Sequence, residues 1–232
     1  MRLPCIADVA THVSCGEVDV GTVYGAALNF GSALKALGEA VYAPPYGKPP
    51  CAPVLHIKPA NTHVPHGAHV TVPNGARELE IGASLAVVIG RRAVRVPKAR
   101  ALDHVLGYTL ASDIGMPNPS YYRPAVRFKC RDGFCPLGPA VVLPQSIRNP
   151  NELRIVVRID GDVRQESYTS DALRSVEALI ADVTAFMTLD AGDVLLLGTP
   201  ADTPRARAGA RIEIIADEIG TLAHTLVAEG EA

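Results

Sequence analysis

Apolar residues in this chain come in short runs broken by glycine and proline, and only once do they recur at helical spacing. That pattern restricts the fold to one built mainly from short strands. The strand-like runs cover residues 54–58, 69–72, 80–89, 93–96, 105–112, 153–159, 163–167, 194–197 and 211–215. Asp160-Gly161, between two of them, is a hairpin signal because both central positions of such a turn favour residues that tolerate positive φ. Residues 24–37 begin as a strand and pass into a small-residue helical run, and residues 97–104 read as a short helix. The main helix is expected over residues 170–189, where Leu173, Val176, Leu179, Ile180, Val183 and Phe186 fall on one face behind Ser170 and Asp171. The expected class is α+β, predominantly β, with residues 1–22 as a short leading segment and residues 23–232 as one domain. Pro44, Pro45, Pro49, Pro50 and Pro53 make residues 43–53 a loop.

Charge and cysteine usage exclude several function classes. A net charge of -2 with both signs scattered offers no basic stripe for a phosphate backbone, so nucleic acid is not an expected partner. The apolar runs fall far short of the roughly 18 to 20 residues that cross a bilayer, so no membrane partner is expected. The N-terminus has Asp8 and no apolar signal core, and a cytoplasmic location is expected. Five cysteines, an odd number, do not form a disulfide framework. Cys130 and Cys135 lack a second pair to complete a tetrahedral zinc site and are expected to pack as small apolar side chains. His63, His66 and His69 invite a metal reading. However, Pro65 and Gly67 break any helix there and a strand would send His63 and His66 to opposite faces, so solvated loop histidines are expected.

Chemistry concentrates where polar groups crowd a turn. Arg123, Arg127, Lys129, Arg131 and Asp132 lie close together, followed by Gly133, Pro136, Gly138 and Pro139, which bar a helix and place the cluster on a loop or strand end. Cations converging on a loop suit carboxylates, because arginine offers a bidentate fork and lysine a mobile point charge. Gly198-Thr199-Pro200, directly after the apolar run 194–197, adds a hydroxyl and backbone N–H groups of the kind that hold an anion.

Taken in order, Ala27-Leu28-Asn29, Ile57-Lys58-Pro59, Leu85-Ala86-Val87-Val88-Ile89-Gly90, Gly107-Tyr108-Thr109 through Asp113, Lys129 through Pro139, and Gly198-Thr199-Pro200 resemble the fumarylacetoacetate hydrolase family. Tyr122-Arg123-Pro124-Ala125, followed by Lys129 to Pro136, resembles the branch that isomerises and decarboxylates in homoprotocatechuate (4-hydroxyphenylacetate) breakdown, in particular its N-terminal half or separate N-terminal subunit. The resemblance implies a mixed β-roll with few helices, dimeric or paired with a paralogous chain, acting on a small anionic unsaturated oxo-acid. It implies Lys129, Asp113 and Asp132 as catalytic groups, with Arg123, Arg131, Lys58 and Thr199 holding the substrate. It also implies two departures. The family's D-x-E-x-E strand supplies two Glu ligands for Mg2+, and those positions read Gly82 and Ser84 here, leaving Asp113 as the surviving ligand; the expectation is no metal or a weakly bound Mg2+, with Glu80 as the one nearby carboxylate. The Asn-x-x-x-His-x-x-Glu lid motif keeps Asn29 but carries Ala33 and Ala36 in place of its His and Glu. Three readings follow from the resemblance: a decarboxylase/isomerase subunit, a catalytically degenerate partner of a metal-dependent sister chain, and a hydrolase or hydratase on another oxo-acid.

Overall fold

The computed structural model describes residues 1–118 and 125–230. Two long strands, Leu79–Ile89 and Val105–Gly115, form its centre; they pair antiparallel and are buried along nearly their whole length, as their mainly apolar sequences favour. Around them a ten-stranded sheet runs in the order Ser14–Asp19, Arg2–Ile6, Cys135–Val142, Val105–Gly115, Leu79–Ile89, Val194–Leu196, Val23–Ala27, Val54–Lys58. Arg205–Ala206 adds to Leu79–Ile89, and His63–Pro65 adds to Cys135–Val142. Because His63–Pro65 follows the edge strand Val54–Lys58 by one short turn yet pairs far across the sheet with Cys135–Leu137, the sheet must curl back on itself into a roll. A second sheet, Asp162–Tyr168, Arg154–Ile159, Arg211–Ala216, Gly220–Ala228 and His69–Val72, packs against it.

Strand alternation divides the apolar residues between two cores. Leu85, Leu110 and Ile114 face Ile212, Ile214, Leu222 and Leu226 of the second sheet. Ala86, Val88 and Ala111 turn the other way onto Leu3, Cys5, Leu137, Val141 and Leu196. Residues 1–22 show no periodicity, yet they supply two strands. Leu3 and Cys5 are buried, whereas Ser14–Asp19 is an exposed edge strand with no buried face to leave a pattern.

The expected hairpin at Asp160-Gly161 is present, with both residues at positive φ. Several elements differ from expectation. The helix is Val176–Thr184, capped by the Ser175 hydroxyl, and not 170–189. Residues 169–171 form a tight turn, and the Leu173 and Arg174 amides donate to Asn29, so tertiary bonds hold as extended chain what periodicity alone assigns to helix. Leu173 and Phe186, which lie outside the shorter helix, are exposed. Residues 93–96 form only an isolated bridge from Ala93 to Leu189. The cluster expected on a loop or strand end begins with one helical turn, Val126–Lys129, which ends before the glycines and prolines. The strand Cys135–Val142 then tolerates Pro139 because the ladder to Val105–Gly115 shifts register there. Among the described residues no helix is long and apolar enough to cross a membrane.

Candidate active site

The roll brings four side chains from three elements together. Asp113, near the end of Val105–Gly115, is almost fully buried, with its Oδ1 2.8 Å from Lys58 Nζ and its Oδ2 2.8 Å from Lys129 Nζ. His56 Nε2 lies 3.2 Å from Oδ2. The period of two along Val54–Lys58 puts His56 and Lys58 on one face, pointing into the curl.

The two lysines play different parts. Lys58 is completely buried, and its ammonium donates to the backbone carbonyls of Ile114 (2.6 Å), Lys129 (2.9 Å) and Phe134 (2.9 Å). Its contact with Asp113 Oδ1 is ionic and lacks hydrogen-bond alignment. Burial pulls the Lys58 pKa below the ordinary lysine value against the pull of Asp113, but four surrounding oxygens and no donor keep the group protonated. Lys58 thus ties the end of Val105–Gly115 to the turn that carries Lys129. Lys129, 29% exposed, donates to Asp113 and reaches the cavity. Burial alone would raise the Asp113 carboxyl, but Lys129, Lys58 and His56 together hold it well below the usual range. Two ammonium groups against one carboxylate leave this floor positive.

Above the floor opens a cavity of about 630 Å³. Its wall includes Ala26, Leu28, His56, Asp113, Lys129 and Thr199. Asn29 shapes the Thr199 side: its side-chain amide donates to the Leu197 carbonyl at 2.8 Å and its own carbonyl accepts from the Arg174 amide, fixing the chain just before Gly198-Thr199.

The predicted site residues separate accordingly. Lys129, Asp113 and Thr199 line the cavity. Lys58 lies behind Asp113, outside the lining, where it acts on the site through Asp113 and the backbone. Arg131 and Asp132 also lie outside the lining, and Asp132 accepts a 2.6 Å hydrogen bond from Asn61. Arg123 falls outside the described residues. His56 was missed, although strand alternation from Lys58 could have found it. Cys130 lines the cavity with its thiol donating to the Ile57 carbonyl, while Cys135 is buried among apolar residues. Of the three histidines, His63 and His66 make backbone hydrogen bonds, to the Lys58 carbonyl and from the Ala223 amide, so they are partly structural and not simply solvated.

The residues at the metal positions do not fit a divalent cation. Gly82 stands directly opposite Asp113, and a Cβ there would come within 2.8 Å of Thr199 Cγ2 and 2.9 Å of the Asp113 carbonyl, so no liganding side chain has room. The Ser84 hydroxyl is buried, donating to the Leu85 carbonyl and accepting from the Gly198 amide. Glu80 lines the cavity but pairs with Arg205 at 3.0 Å. The single remaining carboxylate, Asp113, is already neutralised by ammonium groups, whereas a hard cation needs several oxygen ligands.

The curled β-roll and its cavity at the strand ends place the chain in one structural class, and residues 22–227 match the model of the fumarylacetoacetate (FAA) hydrolase C-terminal family, to which the chain belongs. It is 40% identical over 91% of its length to the 4-hydroxyphenylacetate degradation bifunctional isomerase/decarboxylase of Salmonella dublin, and spans 48% of that protein. The chain therefore spans about half the length of this curated relative. The crystal structure of 5-carboxymethyl-2-hydroxymuconate delta-isomerase from Mycobacterium smegmatis superposes with a TM-score of 0.79 at 31% identity, covering 92% of this chain and 81% of that one. A fumarylpyruvate hydrolase from Pseudomonas aeruginosa, in complex with Mn2+ and pyruvate, shares the fold at a TM-score of 0.81 and 22% identity, with 98% of this chain and 96% of that one covered.

Proposed function

We propose that this chain decarboxylates or isomerises, or does both to, a small unsaturated oxo-acid carrying two or three carboxylates: 5-oxopent-3-ene-1,2,5-tricarboxylate or 2-hydroxyhepta-2,4-diene-1,7-dioate in 4-hydroxyphenylacetate breakdown. The observation that carries this reading is the Lys129 ammonium, fixed by Asp113 at the positive floor of a cavity of about 630 Å³. That volume suits a small metabolite. Decarboxylation leaves an electron pair that the neighbouring oxo group must accept, and isomerisation moves a proton along the conjugated chain. Both pass through an enolate, and a fixed cation beside its oxygen lowers either barrier. Thr199 and the positive floor hold the carboxylates, and the apolar wall from Ala26 to Leu28 excludes water from the reacting carbons. Similarity to the Salmonella enzyme and to the Mycobacterium isomerase supports the substrate class.

A second reading draws on Gly82 and Ser84 together with the half-length match: a chain that works beside a second domain or sister subunit holding the metal ligands. The test is carbon dioxide release and the ultraviolet spectrum of each conjugated acid with the purified chain alone. Turnover is expected, and Lys129→Met should reduce it by about 100- to 1,000-fold while leaving the fold intact. No turnover by the chain alone, restored when the sister chain is added, would replace this reading with the second. Hydrolysis or hydration of a different oxo-acid would replace both.

A further inference from the structure

Enolate chemistry needs a group that takes a proton from one atom of the substrate and returns it to another near neutral pH. Among the described residues the titratable side chains in the cavity wall are His56, Glu80, Asp113, Lys129 and Cys130. Asp113 is committed to its cations, Lys129 to Asp113, and Glu80 to Arg205. The Cys130 thiol is pushed up by burial and donates to the Ile57 carbonyl at 3.2 Å. His56 remains, with a side chain 17% exposed and one ring nitrogen 3.2 Å from Asp113 Oδ2. That nitrogen, Nε2, is buried and without a hydrogen-bond partner among the described residues, and the carboxylate facing it favours the proton there, which leaves Nδ1 as a base. The seat for the ring is built into the sheet: His56 lies opposite Gly25 on the neighbouring strand, and a Cβ at Gly25 would stand 2.3 Å from both Cε1 and Nε2 of the imidazole. Only glycine there lets the ring lie across the strand within reach of Asp113.

We propose that His56 is the proton carrier of this site and that Gly25 and Asp113 position it; the proposal rests on reading the cavity as an enolate-forming site. On 2-hydroxyhepta-2,4-diene-1,7-dioate the imidazole accepts the proton of the C2 hydroxyl, and the O–H electron pair stays on the oxygen as a dienolate beside Lys129. The imidazolium then returns that proton to C5: the oxygen pair forms the C2=O bond, the C2=C3 pair moves to C3=C4 and the C4=C5 pair takes the proton, which leaves the isomeric 2-oxo-3-ene and the neutral ring. On a saturated 2-oxo acid the same ring takes a proton from C3, leaving an enolate, and returns one there.

The test follows, by proton nuclear magnetic resonance in D2O, the exchange of the C3 protons of 2-oxoglutarate for deuterium by the full chain, beside turnover of the two unsaturated acids. His56→Gln is expected to slow exchange and isomerisation by about 100-fold or more in kcat, with KM within about threefold of wild type. Gly25→Ala, which displaces the ring, should slow both in the same sense, and added imidazole should restore part of the exchange to His56→Ala, a rescue that a merely structural role would not show. Exchange at the wild-type rate in His56→Gln overturns the proposal. So does a slow His56→Ala that imidazole leaves slow while Gly25→Ala runs at full rate. Wild-type exchange without turnover of either unsaturated acid overturns the substrate reading and leaves the carrier in place, whereas a wild-type chain that does neither overturns both.

Discussion

Ser112 and Asp113 are neighbours on one strand and point to opposite faces of the sheet, and their surroundings treat ionisation in opposite ways. On the core side, the Ser112 hydroxyl meets His224 Nε2 at 3.1 Å; both residues are buried, and His224 Nδ1 has no partner among the described residues. Burial with no counter-charge pushes the His224 pKa down to about 3, so this histidine stays neutral. On the cavity side burial is as deep, but two ammonium groups and an imidazole keep Asp113 ionised far into acid. Burial by itself therefore does not decide charge. What decides it is whether the fold delivers a partner, and here the fold delivers partners only to the face that opens on the cavity.

Three experiments would break or sharpen that contrast. Lys58→Met should have the largest effect, because it removes one counter-charge from buried Asp113 and leaves the carbonyls of Ile114, Lys129 and Phe134 without their donor. Breaking a buried pair on one side costs about 3–5 kcal/mol, to be read from urea unfolding at neutral pH; a change of only a few tenths would mean that the ammonium is not structural.

The next effect comes from acid. The folded pKa of His224 lies below the unfolded value, so in the window between them the unfolded chain binds more protons and stability falls as pH falls. The contribution is fully present above about pH 6.5, and lowering the pH to 5 should cost roughly 2 kcal/mol. Asp113 is also depressed, so its contribution persists through that window and is lost only as pH falls below the ordinary aspartate range. The double variant Ser112→Ala, His224→Leu should flatten the slope between pH 6.5 and 5; an unchanged slope would locate it elsewhere.

The smallest effect concerns the core pair at pH 7.5. Ser112→Ala alone should cost about 1 kcal/mol, since it strands a buried imidazole nitrogen, while replacing both partners together should cost less than that single change. Chemical denaturation of these two variants beside the wild type checks the order.

Much of this site could be read from residue order. The strands 54–58, 69–72 and 80–89 and the Asp160-Gly161 turn were legible because each rests on local periodicity or a turn signal, and the grouping of Asp113, Lys129 and Thr199 was legible only through the family resemblance of the motifs that carry them. Lys58 was legible as part of the site but not as its support, since nothing local shows that three carbonyls from distant segments converge on its ammonium. Residues 170–174 depart from the expected helix for a related reason: their spacing is helical, but Asn29, distant in sequence, accepts from the Leu173 and Arg174 amides.

By itself the sequence determined a predominantly β chain, the positions of its central strands and a cation-rich turn, because apolar runs, glycine and proline act over a few residues. Only the tertiary structure decided which of those cations share a carboxylate, that His56 lies over Gly25, and that Gly82 has no room for a ligand. Those outcomes depend on how far the sheet curls, which is set by packing between segments far apart in the chain.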